Sequence, residues 1–195
     1  MTHRLIDPRI TDTRLKETPS QTAGPYVHIG TAPQAIGRQT LYRQPGPVAA
    51  EGPGTVVVEG TVYDGAGAPV RDCMIEFWGA DAEGRVGRHG LFGRTTADFA
   101  TGGFRFQTVK PGVHREGSAP HIAILIFARG INLHLHTRLY FPEDEGAIAN
   151  DPDLKRMSPT DRAALTGVAV PAAEHKTYRF DIHLQGAKET PFFDV

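Results

Sequence analysis

The densest apolar run in the chain is residues 122–127, Ile-Ala-Ile-Leu-Ile-Phe. Bounded by Pro120 and Gly130, it reads as a strand buried on both faces. His121 stands at its entrance and Arg129 at its exit. After Gly130 turns the chain, residues 133–141 alternate polar and apolar like a second strand. Upstream, residues 55–63 (TVVVEGTVY) make a strand, Asp64-Gly65-Ala66-Gly67 a turn, and residues 69–80 another strand. On that strand Met74, Glu76 and Trp78 share one face, and Ile75 and Phe77 the other. Residues 81–84 turn again, and 85–103 are glycine-rich loop with only short strand candidates. Residues 103–109 alternate cleanly, and 177–185 place Tyr178, Phe180, Ile182 and Leu184 on one face. Short strands spaced by glycine turns predict an all-β sandwich.

Two segments depart from this rhythm. Residues 158–165 predict one short helix, with Ser158 as its cap, Pro159 at its first position and Asp161 near its positive end. Residues 1–54 have little periodicity and are punctuated by Pro8, Pro19, Pro25, Pro33, Pro45, Pro47 and Pro53. They read as an irregular N-terminal arm, disordered or laid over another surface, either its own domain's or a partner's. The division is therefore an arm, 1–54, and a β-sandwich domain, 55–195. The aromatic end, TPFFDV, is expected to pack on this chain or a partner.

Composition adds bounds. At 195 residues the chain suits one domain with arms and needs no disulfide to build a core. A net charge of −1 gives no reason to expect nucleic acid or an anionic membrane as partner. Cys73 is the one cysteine, so no internal disulfide forms, and beside Met74 and Ile75 it reads as a buried strand thiol. The first residues lack an apolar signal core and no window is apolar enough to span a bilayer, so a soluble, cytoplasmic protein is expected.

Phosphate loops, dinucleotide fingerprints, Gly-x-Ser-x-Gly and HExxH are absent. The candidate chemistry is a histidine group, His121, His134 and His136. The last two are spaced to share a strand face. They could form a zinc, copper or iron site, or be satisfied packing groups among strand apolar residues.

Six stretches together bear a resemblance: TPSQTAGPYVHIG (18–30), VEGTVYDGAGAPVRDCMIEFWGADAEG (58–84), GFRFQTVKPG (103–112), APHIAILIFARGINLHLHTRLYF (119–141), YRFDIHLQG (178–186) and TPFFDV (190–195). The chain resembles the intradiol ring-cleavage dioxygenases, and within them the alpha-type subunits of the protocatechuate-cleaving branch. The resemblance implies a β-sandwich with irregular arms. The family's catalytic chains hold ferric iron with two tyrosines and two histidines, hard phenolate donors suiting the ferric state. Carried onto this chain, the first tyrosine position is Val86 and the second falls at Val113 or His114, after Pro111-Gly112. His121 keeps one histidine, but its partner position is Ala123. An arginine expected before that pair is replaced by Ser118 or Ala119.

The resemblance therefore implies no catalytic residue and no metal ligand set in this chain. It implies instead a homologous beta subunit that bears the ferric iron. Thr22, Gly24, Pro25 and Tyr26 would line the shared substrate pocket, and Arg129 would attract the substrate carboxylate. The implied reaction is cleavage of protocatechuate between its hydroxyls by O2 to 3-carboxy-cis,cis-muconate. The competing expectations are a self-contained metalloenzyme built on His121, His134 and His136, and a non-enzymatic scaffold of the same fold.

Overall fold

A computed structural model of the chain describes residues 21–24, 26–40, 45–171 and 175–194. Its strands are β1 (Thr55–Tyr63), β2 (Met74–Gly79), β3 (Leu91–Thr96), β4 (Gly103–Val109), β5 (His121–Phe127), β6 (Leu135–Tyr140), β7 (Val168–Val170), β8 (Lys176–Arg179) and β9 (Ile182–His183). They form two sheets, one ordered β4-β1-β8-β7 with β9 beside β1, the other β3-β2-β5-β6. Pairing is antiparallel except where β8 and β9 run parallel to β1. The all-β sandwich expected from the alternation is the fold observed.

The core lies between the sheets, where each alternating strand turns its apolar face inward. Val56, Val58 and Val62 of β1 meet Ile75 and Phe77 of β2 and Ile122, Ile124 and Ile126 of β5. Phe77 and Phe106 stack across the gap with ring centres 4.0 Å apart. Burying each such side chain contributes about 1.5–3 kcal/mol. Strand β5 is not buried equally on both faces, as its composition suggested. Its isoleucines are fully buried, but Ala123, Leu125 and Phe127 are half-buried on the outer side. An antiparallel neighbour on each side satisfies its backbone without a second covering layer.

Several boundaries shift. The strand expected over 69–80 begins only at Met74: Pro69 bridges Tyr63 and Val70 N donates to Val62 O at 2.8 Å, both on β1, and a turn at residues 71–72 then carries the chain to the other sheet. Strand β3 lies inside the stretch read as loop. Helix α3 (Pro159–Ala164) is the expected short helix, with Ser158 Oγ accepting from Asp161 N at 3.1 Å. It is not alone: α1 (Tyr26–Thr31) and α2 (Glu145–Asn150) join it. Helix α1 lies on the outer face of β2. Thr31 Oγ1 reaches Met74 Sδ at 3.0 Å, and Arg94 donates to Thr31 O at 2.8 Å while pairing with Glu76. Farther along, Pro47 and Ala49 bond to both backbone groups of Gln107 on β4.

The C-terminal segment packs on its own chain. Thr137 Oγ1 donates to Pro191 O at 2.9 Å, Phe193 N to His136 O at 2.7 Å, and the Arg138 guanidinium lies 4.3 Å from the Phe193 ring centre.

Candidate functional site

Two turns and one strand end build a cavity. The turn after β2 is closed by Asp81, whose Oδ1 accepts from Glu83 N and Arg85 N and whose Oδ2 accepts from Arg85 Nε at 2.6 Å. It packs on the Pro111-Gly112 turn, where Gly112 N donates to Asp81 O at 2.8 Å. Glycine is required at this crossing: a Cβ on Gly84 would lie 2.1 Å from Val113 O, and one on Gly112 2.5 Å from Ala82 O. The crossing sets Val86 and His114 opposite the start of β5. There, Trp78 of β2 pairs with Ala123, and His121 with Tyr140 of β6. Val86, His114, His121 and Ala123 line one cavity of about 270 Å³ together with Trp78 and Leu91.

These are the positions carried over from the family's iron ligands. The structure also selects between two candidates: His114 lines the cavity, and Val113 is not among its walls. His121 Nδ1 faces Ala119 O at 3.0 Å. A carbonyl only accepts, so the proton sits on Nδ1 and Nε2 keeps its lone pair. Burial holds His121 down at about 4, so the ring is neutral. Burial, then Arg115 and Arg138, also lowers His114. Ser118 and Ala119, where an arginine was expected by resemblance, are both buried. Ferric iron needs oxygen or nitrogen donors, and Val86 and Ala123 present only carbon. The residues present do not fit that ion.

The other end of β5 gathers a second set. The Ala128-Arg129-Gly130 turn is closed by Ile131 N to Ala128 O, with Gly130 at φ +86°. Thr22 Oγ1 accepts from Gly130 N at 2.6 Å, so the arm is tied to the turn. Arg129 Nε pairs with Asp72 Oδ2 at 2.5 Å, its side chain 71% exposed. Gly24 O accepts from Val27 N in the first turn of α1, and Tyr26 opens that helix exposed. Pro25, named with them from the sequence, lies outside the described residues. His28 of α1 is buried with its ring 5.2 Å from Phe99. Burial lowers its pKa, against the pull of Asp72. Asp72 escaped the sequence reading because only the tertiary fold brings it to Arg129, and His28 because only the fold sets it against Phe99.

The three histidines do not converge. His134 is exposed and precedes β6, its ring 5.7 Å from Phe127. His136 opposes Leu125, four ladder positions from the His121–Tyr140 pair, and its ring leans on Phe193. Four positions span roughly 13 Å of strand, beyond the reach of one metal ion. Among the described residues no three of His, Cys, Asp and Glu gather for a metal. No helix described is long and apolar enough to cross a membrane.

A family model described as a dioxygenase matches residues 24–186. A protocatechuate 3,4-dioxygenase alpha chain from Pseudomonas putida is 45% identical over 195 residues, covering 92% of this chain and 97% of its own. A protocatechuate 3,4-dioxygenase beta chain from Burkholderia cepacia is 34% identical over 158 residues, covering 70% of this chain and 66% of its own. Among solved structures, the dioxygenase domain of a dioxygenase–carbohydrate-binding fusion from Streptomyces sp. SirexAA-E superposes with a TM-score of 0.61. It is 25% identical and covers 88% of this chain and all of that domain, 100%.

Proposed function

The chain belongs to this dioxygenase family, on the branch of the protocatechuate 3,4-dioxygenase alpha chains, and from that premise we propose that it is the iron-free subunit of an intradiol dioxygenase. In the assembly, protocatechuate is cleaved between its hydroxyls by O2 to 3-carboxy-cis,cis-muconate. A homologous beta subunit would hold the ferric iron, which would supply the Lewis-acid and redox chemistry that ring cleavage needs. This chain supplies part of the pocket wall through Thr22, Gly24, Pro25 and Tyr26, and a guanidinium, Arg129, for the substrate carboxylate. The assembly works in the cytoplasm, in keeping with a lone cysteine, Cys73, that is fully buried and pushed up to about 12 by burial and by Asp72.

One observation carries this reading. The arm contact and Arg129 lie beyond the C-terminal end of β5, whereas the cavity with His121 lies at its start. Eight residues of extended chain place them about 25 Å apart. Arg129 and the arm therefore cannot serve this chain's own cavity. That separation supports a role in completing a site on another chain, since the chain's own cavity lacks the donors for iron.

The test is purification. Expressed alone, the chain is expected to be colourless and free of stoichiometric iron, because Val86 and Ala123 cannot ligate it. Co-expressed with a homologous chain that has both tyrosines and the His-x-His pair, it is expected to copurify as a coloured complex with ring-cleaving activity. A coloured isolated chain with one iron per molecule refutes the assignment. A partner fully active without this chain refutes its role in the pocket.

A further inference from the structure

The cavity at the start of β5 is open although Val86 and Ala123 present only carbon to it. Val86 is 56% exposed and Trp78 46% exposed at its rim, and about 270 Å³ stays open behind them. A cavity of about 150 Å³ already accepts benzene, so this one has room for a single substituted ring.

Its walls define the chemistry of that ring. Trp78, held by Phe92 at a centroid distance of 4.1 Å, offers an aromatic face. Val86, Leu91 and Ala123 add aliphatic surface, and glycines supply much of the rest. Among the described residues no Lys, Arg, Asp or Glu lines the space. The cations on neighbouring residues have other partners: Arg85 is paired with Asp81 at 2.6 Å, Arg88 Nε donates to His89 Nε2 at 3.2 Å, Arg138 is paired with Asp153 at 2.8 Å, and Arg115 with the same carboxylate at 3.0 Å. The fixed polar group is His121. Its Nδ1 proton is spent on Ala119 O, which leaves Nε2 as an acceptor. His114, at the mouth, meets the His121 ring edge-on at 5.2 Å.

We propose that this cavity is a binding site for a small uncharged phenol, its ring against Trp78 and its hydroxyl donating to His121 Nε2. A carboxylated ring is excluded because its charge would be desolvated with no cation to meet it. The site needs no metal and does not depend on the subunit's role in ring cleavage. It lies about 25 Å from the Arg129 end of the strand. A phenol bound here is held, not oxidised.

Trp78 is the only tryptophan in the chain, so its emission reports directly on the cavity. The full-length chain is titrated with 4-fluorophenol, followed by Trp78 emission excited at the red edge and by the ligand's fluorine NMR signal. Saturable binding is expected. Fluorobenzene, which lacks the hydroxyl, and 4-fluorobenzoate, which carries charge, should each bind at least about tenfold more weakly. Ala123→Leu fills the space and should abolish the response, while His121→Phe should reduce 4-fluorophenol to the level of fluorobenzene. Circular dichroism checks that both variants fold. If His121→Phe does not fold, Ala123→Leu and the ligand series still decide. Non-saturable binding, equal binding of the benzoate, or full binding by Ala123→Leu overturns the proposal. So does displacement of the phenol by stoichiometric Zn2+, which would make the imidazole pair a metal site.

Discussion

Arg129 has its Nε committed to Asp72, which leaves the paired terminal nitrogens of the guanidinium as the edge for a carboxylate. The ion pair is mostly solvent-exposed and adds little stability of its own. Its effect is to hold a long side chain in one orientation beside the turn that Thr22 anchors. A carboxylate contact at such a mouth contributes at most about 1.5–3 kcal/mol. Arg129→Ala is therefore expected to raise the assembly's KM for protocatechuate roughly tenfold, with a smaller change in kcat. Catechol has no carboxylate, and its kinetics should barely move. Steady-state rates on both substrates decide: equal losses on the two make Arg129 structural, and no change on either makes it a solvated turn residue. Arg129 and Thr22 could be named from the sequence only through resemblance. Asp72 could not, since nothing local marks a turn aspartate eight residues after Asp64 as the partner of a residue far downstream.

Strand β4 was legible because period-two burial leaves its trace in composition, and β1 and β5 because runs of valine or isoleucine between glycine and proline mark a strand even where the burial of each face is not written out. Strand β3 was not, for Gly93 interrupts it. There the Phe77 ring occupies the space a side chain would need, with a Cβ only 2.0 Å from the ring. Helix α1 was hidden too: Val27, Ile29, Gly30 and Thr31 are poor helix formers, and bonds from Arg94 and to Met74 hold it instead. At the cavity, chain order could not choose between Val113 and His114; the crossing of two glycine turns does. Restoring donors tests that correspondence. A chain with Val86→Tyr, His114→Tyr and Ala123→His, joined by the native His121, is expected to take up ferric iron and absorb visible light. Metal analysis and a spectrum suffice, and a folded triple variant that stays colourless breaks the correspondence.

The same scale holds the clamp between sheets. Glu143, just past β6, accepts from Lys110 beyond β4 at 3.1 Å and from Tyr178 of β8 at 2.6 Å, and pairs with Lys176. Burial alone would raise its pKa, but Lys176, the Tyr178 hydroxyl and Lys110 hold it down at about 2. With the folded value depressed, the clamp's stabilisation is present above the unfolded carboxyl range and is lost as pH falls from about 4.5 toward 2. Discounted for partial exposure, Glu143→Gln should cost about 1–2 kcal/mol at pH 7. Urea melts should show that gap closing in acid. A gap that does not change with pH would make it a packing effect.

At the scale of the molecule, the first 26 residues are expected to matter to the complex and not to the sandwich. Deleting residues 1–26 removes Thr22 from the Gly130 turn but leaves every described strand and the Phe77–Phe106 stack in place. The truncated chain is expected to keep its circular dichroism and its partner, and to lose turnover in the complex. Unchanged kinetics would reduce the arm to packing.

Strand β1 is hydrogen-bonded on one side by β4 and on the other by β8 and β9, which follow it by more than a hundred residues and run parallel to it. Pairing over so long a loop is slow to find, and until it is found β1 exposes a row of unpaired amides flanked by valines. During synthesis on a ribosome the first sheet therefore stays open until residues 176–183 have left the exit tunnel. Through that interval the nascent chain is a target for chaperones and for mispairing with its neighbours on the same message.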